Sequence, residues 1–196
     1  MYQAIQQAMQ KKGYTIFTNP FQLNIVGIRS PNSKANSFDD TINVIYKTDS
    51  VIWVQHSFKA TTHPGLYWLT NPGNPAGTAI LKPGQFSNSH RIGLHRGKYT
   101  ALVQQNPVTV IRDNNADAEL DFKSLNEQTG LFGINIHHAA VGGSTKNVDK
   151  YSAGCQVFAN TDDFAFFMQL AQQHKGLYNN NFTYTLLQAQ EVWGFH

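Results

Sequence analysis

The chain contains one cysteine, Cys155, and the residues around it are of the types that acyl transfer requires. It lies in the segment 133–158, GINIHHAAVGGSTKNVDKYSAGCQVF, where His137 ends an apolar alternating run, a Gly-rich polar stretch follows, and Ser152-Ala153-Gly154-Cys155 closes the segment. A free thiol titrates near 8.5, so a nucleophilic cysteine needs a base or a cation beside it. It also needs backbone N–H donors for the oxyanion that develops on the attacked carbonyl. Gly154, lacking a Cβ, lets the backbone approach a substrate carbonyl. The bland alternative for a lone cysteine is a buried, inert thiol; the glycine before it and the paired histidines upstream argue against that.

His137, separated from Cys155 by 17 intervening residues, and the run Ser152-Ala153-Gly154-Cys155 together resemble the signature of the YkuD-type L,D-transpeptidases, His…(Ser/Thr)-His-Gly-Cys. Ala60-Thr61-Thr62-His63-Pro64-Gly65 is loosely similar to the family's Thr-Pro-Thr-Gly stretch, and a helix then a last strand follow the cysteine in the same order. The resemblance implies a mainly β, sandwich-like catalytic domain with a few peripheral helices, acting on peptidoglycan stem peptides in the cell envelope or periplasm, or delivered there. It implies a Cys acyl-enzyme passed to an amine or to water, with no cofactor. Carried over residue by residue, Cys155 is the nucleophile and His137 the base. Gly154 and Cys155 offer the oxyanion N–H groups, Ser152 shapes the turn, and the carbonyl of His138 orients the imidazole. The chain departs from the pattern at Ala153, where the family has His, and at Val157, where it commonly has Arg or Asn. Those departures motivate a rival reading: a catalytically inactive, wall- or phage-associated binding domain of the same fold.

His137 and His138 compete for the role of base. Period-two alternation puts Asn135 and His137 on one face and Ile134, Ile136 and His138 on the other, so a core-facing Ile row leaves His137 in a cleft. Candidate substrate contacts are Gln156, beside the thiol, and Arg96 and Lys98 in the polar, hairpin-like run Gly93–Tyr99, whose other reading is a solvated turn. Arg112-Asp113 reads as a surface ion pair or turn. A zinc site of His90, His95 and His137 is the metal alternative, but there is no HExxH and no spacing typical of a ligand set, so no metal is expected.

The elements that must position these groups are mostly strands. Leu23–Ile28, Ile42–Tyr46, Ile52–Phe58, Thr78–Leu81, Tyr99–Gln104, Val108–Arg112 and Gly133–His137 are short β-branched or aromatic runs, while 70–77 and 82–89 read as Pro/Gly loops. A helix is predicted over 2–12, with Ile5, Ala8 and Met9 on one face and Gly13 as its stop. A second begins at Asn160 or Thr161, presents Phe164, Phe167, Met168 and Ala171, and ends near Gly176. Phe182–Leu187 reads as a closing strand. The aromatics Trp53, Tyr67 and Trp68 are read as core or inter-sheet packing. The organisation is one domain over 1–196, with a helix and lead-in strands over 1–41 and the catalytic β domain over 42–190.

Composition bounds the rest. With 13 Phe, 8 Tyr and 3 Trp in 196 residues the chain can collapse on a core, and disorder is excluded. A net charge of +3 without any long basic run argues against a nucleic-acid binder. The single thiol rules out an internal disulfide and any CxxC metal site. The first residues, MYQAIQQ, do not form a signal peptide, and no apolar run approaches the ~20 residues of a membrane span. Oligomeric state is not written in the sequence.

Overall fold

The computed structural model describes residues 2–31, 33–123, 125–139 and 142–194. Met1, Asn32, Ser124, Phe195 and His196 lie outside the described residues, as do Ala140 and Val141 of the segment between the two halves of the motif. The chain runs α1 (Tyr2–Lys11), β1 (Asn24–Arg29), β2 (Asp40–Lys47), β3 (Trp53–Thr61), α2 (Leu66–Thr70), β4 (Thr78–Leu81), β5 (Gly84–His95) and β6 (Tyr99–Gln104). It continues with β7 (Val108–Asp113), β8 (Glu127–Gly130), β9 (Ile136–His138), β10 (Gln156–Phe158), α3 (Thr161–Leu177), β11 (Phe182–Gln188) and α4 (Ala189–Trp193).

The fold is mainly β, as the alternating runs require, but the strands close on themselves rather than forming two packed sheets. Eight of them make a barrel in the order β1-β11-β5-β6-β9-β10-β3-β2, and β4-β7-β8 form a separate small sheet. Closure gives each of these eight strands a hydrogen-bonded neighbour on both sides. β1 belongs to this barrel, hydrogen-bonded to β11 on one side and β2 on the other, so the lead-in strand is part of the same sheet as the later strands. Each face of β1 is used. Ile25 faces the main core, while Val26 and Ile28 pack outward with Ile5, Ala8 and Met9 of α1. The i, i+3, i+4 spacing of those three residues gives α1 its buried stripe, and Gly13, at φ +68, ends it.

α3 covers the strands that carry the motif. The side chain of Asn160 accepts the N–H groups of Asp162 and Asp163, as an N-cap should, and Phe164, Phe167, Met168 and Ala171 are buried in the main core. Phe167 stacks 5.0 Å from Phe158 of β10, and Phe164 lies 5.1 Å from the ring of His138. Each buried Phe contributes roughly 1.5–3 kcal/mol, so α3 fixes β9 and β10 against the core.

Three expectations are corrected. The stretch 82–89 is not a loop: β5 runs from Gly84, pairing with β11 and β6 across a register shift opposite Phe182/Tyr184. Its polar side chains are satisfied by neighbours, Gln85 Nε2 donating to Thr15 O and Thr185 Oγ1, so strand pairing outweighs the Pro/Gly signal. The strand predicted over 133–137 is confined to Ile136–His138, because the Gln104 side chain, not a neighbouring strand, accepts the N–H groups of Phe132 and Ile134. Of the three aromatics, Trp53 packs beside α1, whereas Tyr67 is largely exposed and Trp68 lines a surface cavity. Among the described residues no helix is long and apolar enough to cross a membrane.

Candidate active site

The turn before β10 is built around Ser152. Its hydroxyl donates to the Cys155 carbonyl at 2.8 Å and accepts the Gly154 N–H at 3.1 Å, while its own carbonyl accepts the Gly65 N–H at 2.9 Å. The last bond ties the Thr-Thr-His-Pro-Gly stretch to the thiol turn, and Thr61, Thr62 and His63 are fully buried behind it. Gly154 holds φ +121, and a Cβ there would lie 3.1 Å from Ile134 Cδ1 and closer still to the Ala79 carbonyl oxygen. The glycine therefore makes room for β4. Its N–H is already committed to Ser152, so of the two expected oxyanion donors only the Cys155 N–H is left.

Gln156 is not a substrate contact. It is fully buried inside the barrel, where Nε2 donates to the Gly154 carbonyl at 3.1 Å and Oε1 accepts the Tyr184 hydroxyl at 2.8 Å. It props the turn from beneath.

Cys155 itself is partly exposed, and its thiol donates to the Gly133 carbonyl at 3.3 Å. Burial pushes the thiol up, while the backbone at Asn135 and the charge of Arg96 draw it down less strongly. The ground state is therefore a neutral thiol.

β9 lies parallel to β10 with His137 opposite Val157. His137 is 3% exposed. Its Nδ1 is 2.8 Å from the His138 carbonyl and 3.2 Å from the Tyr99 hydroxyl, which is itself 3.3 Å from that carbonyl. Only a donor fits opposite a carbonyl at this distance, so Nδ1 carries the proton and Nε2 keeps its lone pair. Nε2 is buried and has no hydrogen-bond partner. Burial, then the neighbouring His95, pushes His137 down to about 3, so it is neutral at physiological pH. The ring of His138 leans on Tyr99 at 4.3 Å, which leaves its carbonyl as its contribution to the site.

His95 stacks on His137 with ring centroids 4.1 Å apart and planes at 24°. Its Nδ1 lies 3.0 Å from Asn135 Nδ2, and Asn135 Oδ1 accepts the Gln104 N–H at 2.8 Å, so the amide's orientation is set and His95 Nδ1 is an acceptor. Arg96 and Gly97 at the β5–β6 turn both have positive φ (50 and 70), and the Lys98 N–H returns to the His95 carbonyl at 2.9 Å. The loop has three residues, 96–98, between the paired His95 and Tyr99, and its left-handed turn sets Arg96 at the mouth of the site.

A cavity of about 260 Å³ gathers Cys155, His137, His95, Arg96, Tyr151 and Ala153. Of the residues expected from the sequence, the structure brings together Cys155, His137 and Arg96 at this cavity, with Ser152, Gly154 and the His138 carbonyl supporting it. Lys98 is exposed in the hairpin turn and does not line it. Tyr99 was missed, His95 was weighed from the sequence only as a metal ligand, and Asn135 was placed on the His137 face without a role. Their signal was the His95–Tyr99 cross-strand pair in the hairpin, which alternation alone does not connect to Cys155.

A second cavity of about 340 Å³ adjoins the first through Phe132 and Ala153, and Trp68, Thr78 and Arg112 line it further out. Arg112-Asp113 is not a surface pair, since both residues are buried. Arg112 donates through Nε to Gln128 Oε1 at 2.9 Å and through Nη1 to the Gly77 carbonyl at 3.1 Å, and its guanidinium lies 4.8 Å from the Phe132 ring centre. Among the described residues it has no carboxylate partner.

His90, His95 and His137 do not form a ligand set. Fully buried His90 has Nε2 2.8 Å from the Ile134 carbonyl and Nδ1 2.8 Å from Ser89 Oγ. Among the described residues, the His/Cys/carboxylate group with mutually close ligand atoms is Asp39, Asp40 and His63. Asp40 there is occupied by Ser30 N–H, Ser33 Oγ and the Thr62 N–H and hydroxyl, so the group forms a hydrogen-bond network beside His63.

Comparison of the chain with protein-family models, with curated proteins and with solved structures finds no match.

Proposed function

We propose that this protein is an L,D-transpeptidase-like cysteine enzyme that cleaves peptidoglycan stem peptides at the cell envelope and passes the acyl group to an amine or to water. The observation that carries the reading is that one cavity is lined by both Cys155 and a neutral His137 whose Nδ1 is committed and whose Nε2 lone pair is unpartnered. As Sγ attacks the stem-peptide carbonyl, Nε2 takes the thiol proton and the Cys155 N–H receives the oxyanion. The tetrahedral adduct collapses, the C–N bond breaks, and His137 returns the proton to the leaving amine. An incoming amine or water then attacks the thioester by the reverse sequence. Thiol and imidazole begin neutral, so the charged pair forms only during attack. Arg96 at the mouth and Arg112 in the adjoining cavity are placed to meet carboxylates of the stem peptide.

Mass spectrometry of purified muropeptides after incubation tests this. The wild type should shorten stems or form crosslinked dimers when an acceptor amine is supplied, and Cys155→Ala should do neither. Carbapenem labelling should likewise require Cys155. Full turnover by the variant overturns the proposal. The inactive binding-domain reading is favoured by one observation, the thiol directed at the Gly133 carbonyl with its proton held by burial. It predicts retention on peptidoglycan without cleavage by either protein.

A further inference from the structure

We propose that His95 is a further catalytic residue, its Nε2–H donating to the oxygen of the carbonyl that Cys155 attacks. The inference rests on the acyl-transfer reading above and supplies a part that reading lacks. An oxyanion developing on an attacked carbonyl is stabilised by fixed donors aimed at it. Here the Gly154 N–H is spent on Ser152 Oγ, which leaves the Cys155 N–H alone among the backbone donors expected at the thiol turn.

Hydrogen bonds fix where the ring proton of His95 sits. Asn135 Oδ1 accepts the main-chain N–H of Gln104 at 2.8 Å, so Asn135 presents its Nδ2 to His95 Nδ1, 3.0 Å away. Two donors cannot face each other at that distance. Nδ1 therefore keeps its lone pair, and the proton of the neutral ring is on Nε2. Of the described residues none bonds Nε2, and although His95 is only 7% exposed that atom is not enclosed, so its N–H opens on the cavity shared with Cys155 and His137. His137 is the complementary tautomer, with its proton on Nδ1 and its lone pair on Nε2. One imidazole accepts in this cavity and the other donates.

The packing keeps the donor in place and uncharged. The two rings stack with centroids 4.1 Å apart, Tyr99 lies 5.5 Å from His95, and pairing of His95 with Tyr99 holds its backbone in the hairpin. Burial first, then the charges of Arg96 and His138, hold His95 down at about 4. It thus stays neutral beside the imidazolium that His137 becomes, where a second cation would oppose the proton transfer. As Sγ bonds to the carbonyl carbon, the thiol proton passes to His137 Nε2 and the C=O π pair moves onto oxygen. That oxygen takes hydrogen bonds from the Cys155 N–H and the His95 Nε2–H. On collapse the pair returns, the C–N bond breaks and His137 protonates the leaving amine. His95 keeps its own proton throughout, as a neutral imidazole electrophile does.

The test compares two reactions of the same thiol. Alkylation by iodoacetamide is displacement at a saturated carbon and develops no oxyanion. Acetylation by para-nitrophenyl acetate, which releases para-nitrophenolate, passes through one. His95→Phe keeps a ring on His137 but removes the N–H, so Cys155 should be acetylated about 10²–10³-fold more slowly and alkylated at the wild-type rate. His95→Gln, whose amide can accept from Asn135 and donate in place of Nε2, should recover most of the lost acetylation. Cys155→Ala sets the background, and near-UV circular dichroism checks the fold of each variant. Long-range proton–nitrogen NMR spectra of the wild type at neutral pH should show His95 protonated at Nε2 and His137 at Nδ1, a readout that needs no variant. A proton on His95 Nδ1 overturns the proposal. So does wild-type acetylation by His95→Phe, or equal slowing of both reactions, which a merely structural role produces. Loss of acetylation in Tyr151→Phe with His95→Phe unaffected assigns the donor to Tyr151 and overturns it as well. A wild type inert towards muropeptides that still shows the split between the two reactions overturns the peptidoglycan reading and supports the donor.

Discussion

Gly154→Ala separates two explanations of the glycine beside the thiol. If the missing Cβ makes room for substrate, the alanine variant folds normally and loses turnover. The structure puts the Ala79 carbonyl of β4 in that space, with Ile134 Cδ1 at 3.1 Å, and sets φ at +121. An alanine there adopts a backbone region that costs about 1–3 kcal/mol. Its methyl group also has to push β4 and the turn apart, and overpacking of this kind costs about 1–3 kcal/mol more. The two together, roughly 2–6 kcal/mol, are a large part of the ~5–15 kcal/mol that stabilises a domain. Urea unfolding should show a midpoint lower by about 1–3 M with an unchanged slope. Gly176→Ala is the control of opposite sign. Gly176 lies within α3 with nothing within 4 Å of a Cβ, so alanine there should stabilise by about 0.4–1 kcal/mol. A loss below about 1 kcal/mol in Gly154→Ala, with activity abolished, would refute the packing explanation.

Arg96 lowers the thiol through its charge, so Arg96→Gln should move the pH profile of iodoacetamide alkylation of Cys155 to higher pH, while Lys98→Gln leaves it in place; equal profiles for wild type and Arg96→Gln would remove Arg96 from the site. His90 is fully buried and pushed down to about 4, so the unfolded chain takes up its proton first as the medium is acidified. Its contribution is intact above pH ~6.5 and is lost between there and about 4, on the order of 3 kcal/mol in all. Urea midpoints measured from pH 7.5 to 4.5 should therefore fall in the wild type and fall less steeply in His90→Gln, an unchanged slope arguing that His90 is not the titrating group.

How much of this was legible depended on whether a signal was local. α3 could be read from Asn160, the two aspartates and the Phe164/Phe167/Met168/Ala171 stripe, because cap and periodicity lie within one helix. β1, β2, β3, β4, β6, β7 and β11 fall where alternating or β-branched runs stand. The order of side chains along 134–138 was legible too: Asn135 and His137 reach the cavity, and Ile134 and Ile136 the core. What failed was decided across the sheet. Gln104 accepts two N–H groups that a ladder would otherwise have taken, which shortens β9. Gln156 sits next to the thiol in sequence but points into the barrel, because successive strand residues face opposite sides. The His95–His137 stack and the buried Arg112 arise from pairings between distant segments, for which one sequence offers no register.

The barrel also sets an order of assembly. Its closing stave is β11, inserted between β1, near the start of the chain, and β5. Until residues 182–188 have been synthesised and seated, the barrel is an open, curved sheet, and Tyr184 is not there to meet Gln156 beneath the thiol turn. Contacts this distant in sequence form late and make folding slow. The nascent chain thus carries its only thiol through a period in which the pocket that shields it does not yet exist, and oxidants encountered then will find Cys155 more open than they ever do in the finished protein.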